Sequence, residues 1–244
     1  MKITFLGTAH GLCEKGRNRT SIMIEECDNI YLIDAGVPVY ETLFNMGVSF
    51  DKIKAVFLTH AHGDHVLGLL GLLDVANWNM KNLDFDVYIT DETLRDAFTK
   101  TIEITSNLPL DEERLRFKVY DESSVYDDGV LKVTFSKNHH YLDDKPSYSI
   151  TAKSKDKTAV FSGDLSNRLE KKDFPVIPKN TDLLVTELAH FNLDAVLDLI
   201  KNADVKKVCF NHVYPTSKYT EIDKIKNDFT FKVYAPNDGD QIIL

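Results

Sequence analysis

A short stretch near residue 60 concentrates side chains that bind metal ions. The chain has eight histidines, and three of them, with one aspartate, fall in the hexapeptide His60-Ala61-His62-Gly63-Asp64-His65. Imidazole nitrogens and a carboxylate oxygen suit zinc, iron, manganese or nickel better than calcium or magnesium. A histidine-rich surface turn is the alternative, but an aspartate interposed at this spacing favours a metal site.

The residues on either side of the hexapeptide indicate where it lies. Ala55 to Leu58 are apolar and partly β-branched or aromatic, which predicts a buried strand. The leucine-rich run from Val66 to Val75 predicts a buried helix. The hexapeptide is therefore expected on a turn at the carboxyl end of a strand, where layered α/β proteins usually place their chemistry.

Three later strand-like runs also lead to a carboxylate or an imidazole. The run 158–161 precedes Asp164, 208–210 precedes His212, and 131–135 leads toward the pair His139-His140. With the hexapeptide, these ligands are too many for one ion. Two ions about 3.5–4 Å apart that share a carboxylate would use them all. Asp164 is the expected shared carboxylate.

The remaining pattern alternates short strand-like runs with helical stretches. It contains no proline-rich linker, internal repeat or low-complexity segment that would mark a domain boundary. Several consecutive strands, rather than strict strand–helix alternation, predict mixed sheets covered by helices. We therefore predict a layered α/β fold in a single domain, residues 1–244.

The composition argues against nucleic-acid-binding, disulfide-bonded and membrane-spanning classes of protein. Lys and Arg total 29 against 38 Asp and Glu, and the formal charge of −9 argues against a dedicated nucleic-acid binder. The three cysteines, Cys13, Cys27 and Cys209, are scattered, which favours unpaired thiols in a reducing compartment. The amino-terminal residues alternate like a strand, and no apolar run approaches the length of a membrane span. We expect a cytoplasmic protein that does not contact the membrane.

These residues, in this order, resemble the metallo-β-lactamase superfamily, which contains metal-dependent hydrolases and some oxidoreductases. The resemblance covers nearly the whole chain and implies a four-layer αββα sandwich with two mixed β-sheets. It also implies that Asp34, in Ile33-Asp34-Ala35-Gly36, supports the metal-binding turn. The implied ligands of one ion are His60, His62 and one histidine of the 139–140 pair. Those of the second ion are Asp64, His65 and His212, with Asp164 bridging the two.

The choice within the histidine pair falls on His140. It lies nearer to the segment Lys145-Pro146-Ser147-Tyr148, which resembles the usual continuation in the superfamily. His139 is then expected to support the site, to contact substrate or to be exposed.

Two further segments resemble the ribonuclease Z-like and related phosphodiesterase branch of the superfamily. They are the opening run, from Gly7-Thr8-Ala9 to Thr20-Ser21, and Glu187-Leu188-Ala189-His190-Phe191. The resemblance implies that Glu187 and His190 assist the cleavage of a phosphate ester, although His190 could instead be a core or helix-start residue. Because the chain is acidic and has no glycine- and lysine-rich arm for gripping tRNA, we do not expect tRNA as a substrate.

The resulting expectation is a hydrolase with two divalent ions and a metal-bridged hydroxide. Zinc is the expected metal, with manganese and iron as alternatives. Asp64 would orient the hydroxide, and His190 would protonate the leaving oxygen. The favoured substrate is a small or nucleotide phosphodiester, and the alternative is an ester, lactone or thioester. A di-iron oxidoreductase is disfavoured, because that branch usually carries a glutamate at the position of His62. Homodimers are frequent among the resembling proteins.

Overall fold

The computed structural model describes residues 1–12, 14–141, 143, 145–167 and 173–244. Strands and helices follow one another along most of this length, and the labels below number them in chain order. The strands are β1 Lys2–Gly7, β2 Ser21–Glu26, β3 Asn29–Ile33, β4 Ile53–Phe57, β5 Phe85–Ile89, β6 Leu115–Val119, β7 Val125–Asp127, β8 Lys132–Lys137, β9 Tyr148–Lys153, β10 Thr158–Phe161, β11 Leu183–Leu188, β12 Lys207–Val213, β13 Lys232–Tyr234 and β14 Gln241–Ile243. The α-helices are α1 Val39–Asn45, α2 Gly63–Trp78, α3 Glu92–Ser106, α4 Leu193–Ile200 and α5 Lys218–Ile225.

The strands form two mixed sheets of seven strands each. The first has the order β14-β1-β2-β3-β4-β5-β6, and the second has the order β13-β12-β11-β10-β9-β8-β7. In the first sheet, pairing is antiparallel from β14 to β3 and parallel from β3 to β6. In the second, it is antiparallel from β7 to β10 and parallel from β10 to β13. Each sheet therefore has an antiparallel half and a parallel half.

Apolar side chains alternate along the strands and build three layers of core. The central cluster joins the two sheets, with Phe5, Tyr31 and Phe57 of the first sheet against Phe135 and Phe161 of the second. A second cluster packs α1, α2 and α3 on the outer face of the first sheet. A third packs α4 and α5 on the outer face of the second sheet. The arrangement is an αββα sandwich, and the expected fold class is confirmed.

Two strands differ most from what the sequence predicts. The strand β7 was not predicted, because only Tyr126 of its three residues is buried and no alternating pattern can be read from so short a run. The strand β12 was expected to end at Phe210 but continues to Val213. Its extension contains Asn211 and His212, whose polarity suggested a loop although both side chains are buried.

Within the described ranges, no helix has the length and apolar character needed to cross a lipid bilayer. Cys27 is an exposed free thiol and Cys209 a buried one. Cys13 lies outside the described residues.

Candidate metal centre

The expected ligands meet at one edge of the sandwich. The hexapeptide begins three residues after the end of β4, and its last three residues form the first turn of α2. The other ligands come from the second sheet. His140 follows β8, Asp164 follows β10, and His212 lies near the end of β12. Parallel strands of one sheet end at the same edge, so residues far apart in sequence are brought together here.

The first group of converging atoms is formed by His60, His62, His140 and Asp164, whose nearest donor atoms all lie within 4.8 Å of one another. Nδ1 of His62 lies 3.1 Å from Nε2 of His60 and 3.0 Å from Nε2 of His140. Oδ2 of Asp164 lies 3.7 Å from Nε2 of His60. Ligand atoms bound to a tetrahedral ion at about 2.1 Å are separated by about 3.4 Å, so these spacings fit one ion.

Hydrogen bonds on the far side of the rings orient their lone pairs inward. Nδ1 of His140 lies 3.1 Å from the carbonyl oxygen of Leu165, which can only accept, so Nδ1 carries the proton. Oγ1 of Thr59 donates to Asp34 and therefore accepts from Nδ1 of His60. Burial lowers the pKa of both rings, so both are neutral.

Nε2 of His60 and Nε2 of His140 consequently present lone pairs to the same nitrogen of His62. That nitrogen can offer one proton at most, and it cannot satisfy both neighbours. A cation placed between the three rings resolves this arrangement. The donor set therefore fits a divalent metal ion, with the outer hydrogen bonds fixing each tautomer as they do in known metal sites.

The second group is formed by Asp64, His65 and His212. Nε2 of His212 lies 3.1 Å from Oδ2 of Asp64 and 3.3 Å from Nε2 of His65. The carboxylate of Asp164 lies beside this group as well, with Oδ1 3.3 Å from Nε2 of His65 and Oδ2 3.6 Å from Nε2 of His212. Asp164 thus contacts both groups, which is the position expected of a shared carboxylate.

The charges of the second group stabilise one another. Burial raises the pKa of Asp64, but the hydrogen bond from His212 and the charge of His65 outweigh it and lower the pKa to about 2. Burial disfavours a charge on His65, yet Asp164 and Asp34 hold its pKa well above the ordinary value. A metal ion held by these residues would take the place of that proton.

Asp34 holds the hexapeptide in place through hydrogen bonds at both of its ends. Its Oδ1 accepts a 2.8 Å hydrogen bond from the backbone N–H of Thr59, and its Oδ2 lies 2.7 Å from Nδ1 of His65. The residue has a left-handed backbone (φ 58°), directly after β3. One carboxylate therefore ties the start of the metal-binding turn to the first turn of α2, as the resemblance implies.

Two backbone features orient the ligands of the second sheet. Gly163 has φ 61°, and a Cβ there would come within 2.9 Å of the carbonyl oxygen of Tyr148, so the turn before Asp164 requires glycine. His212 has φ 52° and is the extra residue where the pairing of β11 with β12 shifts register. Such a bulge redirects a side chain, and here it turns the imidazole toward Asp64.

Glu187 and His190 form a pair beside the two groups. Oε1 of Glu187 lies 2.8 Å from Nδ1 of His190, which is 3.9 Å from Oδ2 of Asp164. Burial lowers the pKa of His190, but the hydrogen bond to Glu187 and the charges of Glu187 and Asp164 outweigh it and raise the pKa to about 9. The ring is therefore protonated at neutral pH. Glu187 is a buried strand residue, not a solvent-facing one.

Every residue of the expected ligand set thus lies in one of the two groups, whereas His139 does not. Its Nδ1 lies 2.7 Å from Oδ1 of Asp173, and about half of its side chain is exposed. The structure brings His140 and not His139 to the centre. Assignment of the seven residues as ligands remains a prediction.

Sequence reasoning missed three nearby side chains. His10 is buried, with its ring centroid 4.2 Å from that of Tyr214. Nζ of the buried Lys218 donates to the carbonyl oxygens of Leu188 and Phe191, which bracket the segment carrying His190. Tyr141 stands beside His62, with ring centroids 4.8 Å apart. Its position next to the His139-His140 pair was the available signal.

The sequence model of the family described as Anti-Pycsar protein Apyc1 matches residues 1–231. The chain belongs to this family. This Apyc1-family chain is also similar to ribonuclease Z proteins, such as that of Synechococcus sp. (strain CC9311), with 30% identity over 182 residues. That match covers 72% of this chain and 56% of the relative, so the chain spans about half the length of the ribonuclease Z proteins that it matches.

Solved structures confirm the fold. The metallo-β-lactamase fold protein YhfI from Bacillus subtilis superposes with a TM-score of 0.79 at 20% identity, covering 99% of this chain and 98% of that one. The short form of human tRNase Z gives a TM-score of 0.73 at 20% identity, covering 100% and 99%. The predicted resemblance to the metallo-β-lactamase superfamily and its ribonuclease Z-like branch is confirmed. The similarity to ribonuclease Z proteins weighs against the expectation that tRNA is not a substrate.

Proposed function

We propose that this Apyc1-family chain is a dinuclear metal-dependent phosphodiesterase that hydrolyses a small or nucleotide diester. The observation that carries the proposal is the convergence of two groups of ligand atoms on one shared carboxylate, Asp164. The protonated His190 beside that carboxylate is the second element. The similarity to ribonuclease Z proteins supports a phosphodiester as the substrate class.

His60, His62 and His140 would hold one ion, and Asp64, His65 and His212 the other, with Asp164 between them. When bound, two divalent ions lower the pKa of a coordinated water and polarise the phosphoryl oxygen. Imidazole and carboxylate ligands favour zinc, with manganese and iron as alternatives.

The protein residues contribute orientation and a proton. Asp64 is held deprotonated, and its Oδ2 faces the second group, so it can accept a hydrogen bond from an attacking water. His190 carries a proton at neutral pH and can donate it to the leaving oxygen of the ester. Glu187 keeps that proton on the ring. Its carboxylate also accepts from the N–H groups of Ala189 and His190, which fixes the backbone at the ring, and from the N–H of Leu165 after β10.

The decisive experiment is the turnover of bis(p-nitrophenyl) phosphate. Protein purified without chelator is reloaded with zinc or manganese, its metal content is measured, and a chelator-treated sample serves as the control. Metal-dependent release of p-nitrophenolate is expected. Absence of turnover in a sample that holds two ions per chain contradicts the proposal and favours an ester, lactone or thioester as substrate.

A second assay separates small diesters from tRNA. The chain carries a formal charge of −9, which opposes the binding of a polyanion at long range. We therefore expect cleavage of mononucleotide and dinucleotide diesters, and no 3′ processing of a precursor tRNA at the same enzyme concentration. Efficient tRNA processing would replace the small diester with tRNA in the proposal.

A further inference from the structure

The His190 turn, residues 188–191, leads from the end of β11 toward α4, and one side chain binds both of its ends. Nζ of Lys218 donates to the carbonyl oxygen of Leu188, at 3.0 Å, and to that of Phe191, at 2.6 Å. These two carbonyl groups lie before and after His190 in the chain. The position of the Lys218 amino group therefore fixes the backbone on both sides of the imidazole.

The burial of Lys218 is unusual for a lysine. The residue begins α5 and is only 6% exposed, whereas Lys224 on the same helix is exposed to solvent. Lysines are almost never fully buried unless their amino group is paired. An apolar side chain of similar length would fill the same space without the cost of removing an amino group from water. The packing of α5 therefore does not explain a lysine here, but the hydrogen bonds to the His190 turn do.

Glu187 binds the other polar groups of the same turn. Its carboxylate accepts from the backbone N–H groups of Ala189 and His190, at 2.7 and 3.0 Å, and lies 2.8 Å from Nδ1 of the His190 ring. A buried carboxylate thus holds the N–H groups of the turn, and a buried amino group holds its carbonyl oxygens. Together the two side chains restrict both the backbone and the ring of His190.

The ring that they restrict lies between the two ligand groups. Its centroid is 4.8 Å from that of His140 and 5.9 Å from that of His212, and its Nδ1 is 3.9 Å from Oδ2 of Asp164. A side chain can transfer a proton only within hydrogen-bond reach of the atom that receives it. The position of the turn therefore decides whether His190 reaches a substrate held between the two groups.

We propose that Lys218 is a positioning residue, which holds the His190 turn by its two carbonyl groups and thereby keeps the imidazole where it reaches the leaving oxygen of the substrate. The proposal rests on the proposed function, in which His190 donates a proton to that oxygen. Lys218 itself contacts neither the substrate nor the expected metal ligands, and it acts on the reaction only through His190.

The test compares two diesters that differ in their need for a proton. Thymidylyl-thymidine releases an alkoxide, which must be protonated, whereas thymidine 5′-(p-nitrophenyl phosphate) releases p-nitrophenolate. Lys218→Met keeps the length of the side chain and removes its N–H donors. Lys218→Gln is shorter by one methylene group, so that its amide does not reach both carbonyl groups. Lys224→Met is the matched control on the same helix. Metal content and urea unfolding are measured for each protein, so that a disturbed metal centre or fold is detected.

Lys218→Met and Lys218→Gln are expected to lower kcat for thymidylyl-thymidine by about 10- to 100-fold, because misplacement of a catalytic group by about 1 Å can cost about 100-fold. KM and the metal content should change little, and the p-nitrophenyl ester should be cleaved almost normally. Lys224→Met should match the wild type on both substrates. Equal losses on the two substrates, or no loss on thymidylyl-thymidine, would overturn the proposal.

Removal of His190 shows whether Lys218 acts through it. When His190→Ala is already present, the addition of Lys218→Met should cause no further loss on thymidylyl-thymidine, because the group that the lysine positions is gone. Two residues that act as one unit give such non-additive losses. Losses that multiply would mean that Lys218 affects the reaction independently of His190, and they would contradict the proposal.

Hydrogen exchange distinguishes a failure of this proposal from a failure of the proposed function, because it requires no turnover. The amide N–H groups of Ala189 and His190 should exchange at least about 10-fold faster in Lys218→Met than in the wild type, since lost hydrogen bonds let the turn open locally. Lys224→Met should leave their exchange unchanged. If the wild type cleaves neither substrate, the proposed function fails, and exchange alone decides whether Lys218 holds the turn. Equal exchange in Lys218→Met and the wild type would refute it.

Discussion

Two adjacent histidines lie in different surroundings and provide a matched pair of variants. His140 belongs to the first ligand group, whereas His139 is half exposed and faces Asp173. We expect His140→Ala to lose the ion of the first group and its turnover to fall by at least about 100-fold. Removal of a residue that merely hydrogen-bonds to a ligand already lowers metal affinity or activity by about 10- to 100-fold. His139→Ala should keep both. Metal analysis and turnover provide the comparison, and the reverse pattern would exchange the two assignments.

His190 is predicted to matter only when the leaving group needs a proton. p-Nitrophenolate leaves as a stable anion, but the alkoxide of a dinucleotide does not. His190→Ala should therefore lower kcat for thymidylyl-thymidine by about 100- to 10,000-fold, the usual range for general acid catalysis. Thymidine 5′-(p-nitrophenyl phosphate) should be cleaved almost normally. Similar losses on both substrates would show that His190 acts in some other way.

The same residue predicts a pH dependence. The pKa of His190 is raised to about 9, so its proton is present at neutral pH and is lost as the pH rises through that value. Cleavage of thymidylyl-thymidine by the wild type should decline above about pH 9. The decline should be absent from the residual activity of His190→Ala and from the p-nitrophenyl ester. The pH–rate profiles of both proteins on both substrates test this.

At the scale of elements, the packing of α2 depends on one glycine. A Cβ on Gly68 would collide with the backbone carbonyl of Gly36 and would come within 2.7 Å of the carbonyl oxygen of Ala35. Gly71, one turn later on the same helix, is exposed, and a Cβ there meets nothing within 4 Å. The first turn of α2 carries Asp64 and His65. Displacement of the helix therefore moves two expected ligands.

We expect Gly68→Ala to destabilise the fold by about 1–3 kcal/mol, the usual effect of overpacking a core, and to weaken metal binding. Gly71→Ala should stabilise it by up to about 1 kcal/mol, because alanine is the better helix former. Urea unfolding and metal analysis of the two variants measure both effects. Equal stability of the two proteins would mean that α2 moves away from residues 35–36 without loss.

Most elements could be predicted from the sequence, because the spacing of their apolar residues distinguishes strands from helices. The strand β10 covers the predicted residues 158–161, since the apolar run there ends at a polar turn, Ser162-Gly163. The end of β12 could not be predicted, because polarity at Asn211 and His212 indicates a loop when burial is unknown. Asn211 pairs with Glu187 of β11, and His212 contacts Asp64 and His65, and local sequence reveals neither contact.

The candidate site also has residues that the sequence predicts and residues that it does not. Its ligands could be predicted from residue type and position at strand ends, since metals need those atoms wherever the strands meet. Lys218, His10 and Tyr141 could not, because each is placed by contacts with residues distant in sequence. Lysine in particular is usually solvated, and the carbonyl groups of Leu188 and Phe191 that accept from Nζ explain how Lys218 is buried.

At the scale of the whole molecule, the expected ligands come from both sheets. His60, His62, Asp64 and His65 follow β4 of the first sheet, whereas His140, Asp164 and His212 belong to the second. Each ion would be held by ligands from both sides, so metal binding requires the two sheets to be docked. The interpretation of residues 1–244 as one domain remains a prediction, and such shared ligands support it.

Metal removal should therefore lower the thermal stability of the whole fold. A ligand present at 100 times its Kd stabilises the folded state by about 2.7 kcal/mol. For a chain of this length that corresponds to a decrease in Tm of about 5–10 °C on chelation. Differential scanning calorimetry with and without chelator measures it, and reloading with zinc should restore the transition. An unchanged Tm in protein shown to be metal-free would mean that the ions do not link the sheets.

Because Asp164 is expected to bind both ions, metal affinity should depend on the position of one sheet relative to the other. Apolar side chains tolerate small sliding of one sheet over another, but coordination bonds tolerate only about 0.2 Å. A substitution anywhere in the central core that shifts β10 relative to β4 would thus be recorded as altered metal affinity before any loss of folded structure. Metal titration can in this way report strain at Phe57 or Phe161 while the chain remains folded.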